Sequence, residues 1–153
     1  MRRMAQERTY VMLKPGVIQR RLVGEALGRI EAKGLKIIGL KLMQIPRSLA
    51  ETHYGEHQGK PFFPDLISYI TSGPVVAFVV SGESAISRVR MLAGATKAEE
   101  ALPGTIRGDM AAVTTKNIIH ASDSVESADR EIGLFFQDQE IIDWQDPLEA
   151  WTV

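Results

Sequence analysis

The stretch Asn117-Ile118-Ile119-His120-Ala121-Ser122-Asp123 decides how the last part of this chain folds. Its two isoleucines favour a buried strand that ends at His120, and its Ser-Asp pair is typical of a helix N-terminus. A helical pattern then begins at Val125. We therefore expect the histidine at a junction of strand and helix, close to free backbone N–H groups that can hold an anion.

The composition restricts the class of protein. The 153 residues suit one domain with a sizeable core, and fractions of 44% hydrophobic and 24% charged residues are ordinary for a globular chain. The formal net charge of −1 gives no global field for nucleic acid or anionic membranes, so neither is indicated as a partner. The lack of cysteine excludes disulfides, thiolate catalysis and cysteine-ligated metals. No apolar run approaches the length of a membrane span.

We predict a single domain over residues 1–153, with a short N-terminal tail at residues 1–8 and a C-terminal extension at residues 137–153. The basic start is followed by polar residues instead of the apolar segment of a signal peptide, so we expect a cytoplasmic protein. The extension carries two tryptophans and few helical signals. We expect it to pack over the body of the protein or against a neighbouring subunit.

Strand and helix patterns alternate through the first half of the domain. Residues 9–13 and 75–80 are continuous runs of strand formers, and both are predicted to be buried strands, the first of them central. A helix closed by Gly34 and a strand at residues 35–45 lie between them. Two helices that we expect to form a hairpin follow that strand, the first beginning with a capping box at residues 48–51.

The second half of the domain continues the alternation after a long irregular stretch. A helix is predicted to start near Ser84, and periodicity is then lost over residues 94–109. A loop of this length inside a compact domain is often functional. Residues 118–120 form the last predicted strand, and Asp123 with Glu126 forms the capping signature of the last helix.

This order of elements is typical of a ferredoxin-like split βαβ sandwich. We therefore predict an α/β fold with an antiparallel four-stranded sheet, to which a helical hairpin and a long loop are added. A doubly wound parallel sheet is the competing topology. We prefer the ferredoxin-like fold because neither strand–helix junction carries a G-x-G-x-x-G sequence.

His120 has two interpretations. A lone histidine at a strand end is more often a structural residue that one hydrogen bond satisfies. The other interpretation is a nucleophile that forms a covalent intermediate. The neighbourhood shifts the balance toward the nucleophile, because Ser122 and Asp123 begin a helix whose N–H groups can hold an anion. Glu131, further along that helix, is placed to reach back to the ring and fix its tautomer.

Three cationic residues are candidates to bind phosphate: Lys14, Arg90 and Arg107. A phosphoryl group in transfer spreads negative charge over its oxygens and needs cations around it. Lys14 ends a central strand, where a merely solvent-facing lysine is hard to explain. Arg90 also fits the exposed face of a helix. Arg107 fits a salt bridge between loop and body as well as it fits phosphate binding.

Aromatic and histidine residues near the predicted hairpin complete the candidates. Only one of the adjacent Phe62 and Phe63 can face the core fully, so the other is free to stack on a nucleobase, and such stacking tolerates any base. His53 and His57 are four residues apart, but no third metal ligand is evident. We interpret both as surface histidines. No P-loop sequence is present.

The chain resembles the nucleoside diphosphate kinases from about Thr9 to Phe136. The most specific matches are Pro103-Gly104-Thr105-Ile106-Arg107-Gly108-Asp109 and Asn117-Ile118-Ile119-His120-Ala121-Ser122-Asp123-Ser124. The other matching stretches are Lys14-Pro15, Gln19-Arg20-Arg21-Leu22-Val23-Gly24-Glu25, His53-Tyr54, Pro61-Phe62-Phe63 and Ser72-Gly73-Pro74-Val75-Val76-Ala77. The sequence departs from the family's common pattern at Gly16, Lys60 and Lys116, none of which is a candidate site residue.

The resemblance implies an enzyme that transfers the γ-phosphate of a nucleoside triphosphate to a nucleoside diphosphate. Transfer would follow a ping-pong mechanism through a phosphohistidine at His120, with broad base specificity. ATP and other nucleoside di- and triphosphates would be the substrates. The cofactor would be Mg²⁺, held mainly by nucleotide phosphates and water and not by dedicated protein ligands. The family also implies a homo-oligomer, commonly a hexamer and in some members a tetramer or dimer.

The resemblance also implies roles for individual residues. Lys14 and Tyr54 would stabilise the transferring phosphate, and Asn117 would lie with Lys14 near the ribose hydroxyls. Ser122 and Glu131 would orient the nucleophile. The residues that would bind the base and the remaining phosphates are Phe62, Arg90, Thr96 and Arg107.

A binding module with the same fold but no catalysis is the alternative function, because a fold does not determine an activity. Such a module would bind nucleotides or nucleic acid. It would be favoured if His120 or Lys14 were missing, and the chain has both. The sequence therefore favours the enzyme.

Overall fold

A computed structural model describes residues 6–152 of the chain. One four-stranded sheet forms its centre, with strands in the order β2-β3-β1-β4. Every neighbouring pair is antiparallel, so the predicted ferredoxin-like sandwich is confirmed and the doubly wound parallel sheet is wrong. The strands are β1 Gln6–Leu13, β2 Lys36–Met43, β3 Val75–Glu83 and β4 Ile119–Ala121.

Helices cover both faces of the sheet and connect its strands. None of those within residues 6–152 has the length and apolar character needed to cross a bilayer. The α-helices are α1 Val23–Ala32, α2 Arg47–His53, α3 Phe63–Ile70, α4 Ala85–Ala93, α5 Ile106–Met110, α6 Val125–Phe135 and α7 Glu149–Thr152.

Strand β1 is central and buried on both sides. Val11 and Leu13 belong to the core layer under α1 and α4, whereas Tyr10 and Met12 belong to the layer under α2, α3 and α6. Successive side chains of a strand point to opposite faces, which is why a run without polar alternation builds both core layers. The central position predicted for residues 9–13 is confirmed.

Strand β1 begins earlier than its apolar pattern indicates. Gln6 pairs with Glu83 and Arg8 with Ser81, so both strands extend by three residues beyond their apolar runs. The boundary of the predicted tail at residue 8 is therefore wrong for residues 6–8, and residues 1–5 lie outside the described part of the chain. Polar side chains suffice at this end because backbone hydrogen bonds, and not burial, hold the pairing.

Two helix starts also differ from prediction. Helix α2 begins at Arg47 after an extended Pro46, without a side-chain cap, so the capping box at residues 48–51 is wrong. Helix α6 does begin at Val125, but its N-cap is Ser124, whose hydroxyl accepts a hydrogen bond from the backbone N–H three residues on. Serine and aspartate cap about equally well, so the sequence alone did not distinguish these neighbours.

The C-terminal extension lies along the outer edge of the sheet. Strand β2 has a register shift between Ile37 and Gly39, which frees backbone carbonyls from the ladder. Trp144 Nε1 donates to Ile37 O at 2.8 Å, and Ile142 N donates to Ile38 O at 2.8 Å. Of the two placements predicted for the extension, the structure shows contact with the body of the chain.

The hydroxyl of Tyr10 gives a test of this packing. The side chain is fully buried and stacks on Phe135, but its hydroxyl has no hydrogen-bond partner among the described residues. A buried unsatisfied hydroxyl costs about 1–3 kcal/mol. Tyr10→Phe is therefore expected to raise the free energy of unfolding by an amount in that range, measured by urea denaturation.

Tyr69→Phe is the matched control, because the Tyr69 hydroxyl donates to Pro15 O at 3.2 Å. Its loss is expected to lower the free energy of unfolding by about 1 kcal/mol. A Tyr10→Phe variant that is less stable than the wild type would contradict the assignment.

Candidate active site

His120 lies in the middle of the short edge strand β4, opposite Met12 of β1. Its ring nitrogen Nε2 is hydrogen-bonded to Glu131 Oε1 from helix α6. The Glu131 carboxylate is buried, and its second oxygen lies 3.4 Å from the Ser122 hydroxyl. A carboxylate on Nε2 favours the tautomer with its proton there, which leaves a lone pair on Nδ1.

The residue before this strand has a rare backbone conformation. Ile118 has φ +74°, and Ile119 N donates to Asn117 O at 2.8 Å across it, which is the hydrogen bond of a γ-turn. A β-branched residue at positive φ is strained. The predicted strand at residues 118–120 therefore starts one residue later, at Ile119.

Arg107 holds this turn from the side. Its guanidinium donates to the backbone carbonyls of Asn117 at 3.3 Å, Ile119 at 2.6 Å and Gly94 at 2.8 Å. The side chain is 6% exposed, and burial followed by repulsion from Arg90 lowers its pKa to about 10. A salt bridge between loop and body was one of the two predictions for Arg107. In the structure its guanidinium instead donates hydrogen bonds to these three carbonyls. Three of five N–H groups are used, which leaves two for an anion.

Lys14 and Asn117 are 103 positions apart in the chain, but their side chains are hydrogen-bonded. Lys14 Nζ donates to Asn117 Oδ1 at 2.6 Å, and Asn117 Nδ2 donates to Thr96 O at 3.0 Å. Desolvation, followed by repulsion from Arg107, lowers the pKa of Lys14 to about 8. The amide therefore ties a strand end to the long loop and holds the ammonium in the site.

The predicted 94–109 loop contains more structure than expected. Helix α5 occupies its end, and its N-cap Thr105 accepts a hydrogen bond from Gly108 N. Arg107 lies within this helix, and Thr96 lies in the irregular part before it. A five-residue helix is too short for a periodic signal to appear in the sequence.

Arg90 and Tyr54 come from two other helical elements. Arg90, on α4, is exposed and donates from Nη1 to Ala121 O at 3.1 Å, next to the candidate nucleophile. Tyr54 directly follows α2, and burial raises the pKa of its hydroxyl well above the usual range. The tyrosine is therefore a neutral hydrogen-bond donor at physiological pH.

Phe62 and Phe63 divide as predicted. Phe63 packs against the core layer under α3, whereas Phe62, the residue before that helix, is 49% exposed. The Phe62 ring centroid lies 5.3 Å from that of His57. An exposed ring face is therefore present at this corner of the molecule.

The interpretation of His53 as a surface residue is wrong. The side chain is 4% exposed, and its ring centroid lies 5.0 Å from that of His120 in an edge-on arrangement. Burial, followed by repulsion from His120, lowers its pKa to about 3, so it is neutral. Its spacing of four from Leu49 and three from Ala50 on the same helix is a signal of burial, because positions i, i+3 and i+4 share a face.

These elements surround one cavity of about 620 Å³. Eight of the ten predicted site residues line it, and two do not. Ser122 is buried behind Glu131, and Phe62 contacts His57, which is itself part of the lining. The predicted residues in the lining are Lys14, Tyr54, Arg90, Thr96, Arg107, Asn117, His120 and Glu131.

Comparison with known proteins assigns this arrangement to a family. The sequence profile described as nucleoside diphosphate kinase matches residues 7–141. The chain belongs to the nucleoside diphosphate kinase family. It is 58% identical over 145 residues to the nucleoside diphosphate kinase of Staphylococcus aureus, covering 95% of this chain and 97% of that one.

Solved structures agree with this assignment. A halophilic nucleoside diphosphate kinase from Halobacterium salinarum, in complex with CDP, matches with a TM-score of 0.94 at 50% identity, over 97% of this chain and 99% of that one. A nucleoside diphosphate kinase family protein from Babesia bovis matches with a TM-score of 0.93 at 44% identity, over 96% and 99% of the two chains.

The activity of the chain is therefore nucleoside diphosphate kinase activity. The γ-phosphate of a nucleoside triphosphate passes to a nucleoside diphosphate in a ping-pong cycle with a phosphohistidine intermediate. The protein is a phosphotransferase that acts on nucleotides, as the resemblance implied.

The lowered pKa of Lys14 predicts a pH dependence. The group is cationic below its pKa of about 8 and loses its charge as the pH rises through that value. Because kcat/KM reports the pKa values of the free enzyme, we expect kcat/KM to fall above pH 8 by about tenfold per pH unit. Steady-state kinetics from about pH 6 to pH 10 measure the decline in kcat/KM. A lysine with the ordinary pKa of about 10.4 would stay charged over most of this range.

Lys14→Arg separates this effect from other titrations. Arginine stays protonated throughout the range, so the variant is expected to lose the alkaline decline even if its maximum is lower. An identical decline in both proteins would assign the titration to another group.

Proposed function

We propose that His120 is the residue that carries the phosphoryl group, and that Nδ1 is the attacking nitrogen. The observation that supports this is the hydrogen bond between Nε2 and the accepting Glu131 carboxylate, which leaves the Nδ1 lone pair free. Ser122 supports the carboxylate from behind, at 3.4 Å. Among the histidines, His53 is less suited because its ring is almost fully buried.

The proposed cycle has two half-reactions. In the first, Nδ1 forms a bond to the γ-phosphorus, and the bond from that phosphorus to the β–γ bridging oxygen breaks, so that the diphosphate leaves. The ring gains positive charge as the new bond forms, and the Glu131 carboxylate stabilises it. In the second, the terminal oxygen of another nucleoside diphosphate forms a bond to the phosphorus, and the bond from phosphorus to Nδ1 breaks. Its electron pair returns to Nδ1, so that neutral His120 is regenerated.

The cations around the cavity are proposed to bind the phosphates. Lys14 and the Tyr54 hydroxyl would stabilise the γ-phosphate, while Arg90 and the two unused N–H groups of Arg107 would bind the others. Thr96 would donate its hydroxyl to a phosphate, and Asn117 would lie near the ribose. Support comes from their convergence on one cavity beside His120.

Magnesium is proposed as the cofactor. Three carboxylates line the cavity, and Glu131 is already hydrogen-bonded to His120. A hydrogen bond with Ser127, followed by the charge of Arg90, lowers the pKa of Asp123. This donor set fits an ion held mainly by nucleotide phosphates and water. When bound, the ion neutralises phosphate charge; the residues of the chain bind and orient the nucleotide.

We also propose that the protein is cytoplasmic and forms a homo-oligomer. A hexamer is the commonest state in the family. Exposed apolar side chains support association: Leu40 is 53% exposed, Leu42 67%, and Leu102 in the long loop 72%. Leu40 and Leu42 lie on β2, an edge strand of the sheet. Exposed apolar side chains on an edge strand favour contact with another chain.

Intact-mass spectrometry tests the nucleophile. Wild-type protein incubated with ATP and magnesium is expected to gain the mass of one phosphoryl group and to lose it when a nucleoside diphosphate is added. His120→Ala is expected to show no gain. Full activity of that variant would overturn the proposal.

Glu131→Gln tests the role of the carboxylate. A glutamine NH₂ group that donates to Nε2 moves the ring proton to Nδ1, which removes the attacking lone pair. We expect phosphorylation to slow by roughly 10²–10⁴-fold, as when an orienting carboxylate is lost. Rapid-quench kinetics measure the rate, and Ser122→Ala, which removes only the supporting hydroxyl, is expected to have the smaller effect.

Phe62→Ala tests base stacking. Stacking on an aromatic ring is worth about 1–3 kcal/mol and is insensitive to base identity, so KM is expected to rise by a similar factor for purine and pyrimidine nucleotides. Phe62→Trp retains a ring and is expected to keep KM low. A loss confined to one base would contradict stacking as the source of broad specificity.

A further inference from the structure

Three potential metal ligands meet beneath the candidate nucleophile. His53, His120 and Glu131 each offer one ligand atom, and these atoms lie within 4.8 Å of one another. Two of the side chains are buried, and His120 is half-buried at the cavity. Neither magnesium binding nor phosphate binding accounts for a second imidazole at this point.

His53 is the unexplained member of this cluster. Both of its ring nitrogens are buried, and neither has a hydrogen-bond partner among the described residues. Buried polar atoms normally have partners, and an orphaned ring nitrogen with a free lone pair is an available metal ligand.

We propose that His53, His120 and Glu131 form a binding site for a zinc ion in the nucleotide-free protein. Two imidazoles and one carboxylate are a ligand set that zinc takes in enzymes, with the fourth position left to water. All three side chains line the cavity, which supplies room for that water. Magnesium prefers oxygen ligands in octahedral geometry, so it is not a competitor for two ring nitrogens.

The ion would enter between His120 and Glu131. Zinc bonds of about 2.0–2.2 Å in a tetrahedron require ligand atoms roughly 3.3 Å apart. His120 Nε2 and Glu131 Oε1 are closer than this in their hydrogen bond, so they separate, while the His53 ring moves in from its edge-on position.

Zinc on Nε2 changes the chemistry of His120. The bond to the metal takes the Nε2 lone pair, so the proton of the neutral ring must lie on Nδ1. The lone pair proposed for attack is then absent, and the metal-bound protein is inhibited. This consequence rests on the proposed function of His120, whereas metal binding itself does not.

Zinc titration of the full-length wild-type protein, freed of metal and nucleotide, tests the site. A competition assay against a chromogenic zinc chelator is expected to show one zinc ion per chain. X-ray absorption of that complex is expected to show two imidazoles. Preloading with one equivalent of zinc is expected to slow phosphorylation by magnesium-ATP, and EDTA is expected to reverse this.

Matched variants decide whether the cluster is the site. Loss of an outer-sphere partner already weakens metal binding by about 10–100-fold, so loss of a ligand in His53→Gln is expected to weaken zinc binding by at least about tenfold. His57→Gln removes a histidine from the same cavity but outside the cluster, and its zinc affinity is expected to match the wild type.

Two outcomes would overturn the zinc site: equal zinc affinity of His53→Gln and the wild type, or no zinc uptake by the wild type. If His53→Gln does not fold by circular dichroism, Glu131→Gln carries the same test through the lost carboxylate. The phosphoenzyme assay on His120→Ala is independent, so failure of the zinc site and failure of the proposed nucleophile are distinguishable.

Discussion

The buried guanidinium of Arg107 is the interaction on which the site geometry depends. It donates to carbonyls on both sides of the turn at Ile118 and to Gly94 at the start of the long loop. The turn is strained by its positive φ, and such conformations persist only when surrounding contacts determine them. Burying a charge is costly; here the carbonyls solvate it. Without this contact, His120 and Asn117 would not be presented together.

The charge of Arg107 also affects the other cations of the site. Burial lowers the pKa of Lys14, and repulsion from Arg107 lowers it further. Burial and then repulsion from Arg90 act in the same way on the pKa of Arg107. Three cations that repel one another are held together in the free protein by hydrogen bonds to carbonyls and to Asn117. An anion bound among these cations, as we propose for the phosphates of a nucleotide, would relieve this repulsion.

The central strand connects the core with the chemistry. Alternate side chains of β1 build the two core layers, its Met12 pairs with His120, and Lys14 follows its last residue. Because β1 is buried on both faces, packing from two sides fixes the position of its end. That end places the Lys14 cation in the same cavity as the candidate nucleophile, His120.

The sequence by itself determined much of this protein. Periodicity and strand-forming runs predicted four strands and the order of the main helices, and specific motifs at Pro103–Asp109 and Asn117–Ser124 indicated the family. These properties follow from local residue patterns, whose periods of two and 3.6 are visible in a short window. Strand ends, the cap of α6 and the short helix α5 were less predictable, since backbone pairing and neighbouring polar residues decide them.

Only the tertiary structure decided which residues meet. Lys14 and Asn117 are 103 positions apart in the chain, and no local pattern states that their side chains touch. The carbonyl contacts of Arg107 and the burial of His53 beside His120 likewise arise from packing between distant elements. Local sequence determines what an element is, but the burial of a polar side chain depends on which other elements cover it, and that is a property of the assembled fold.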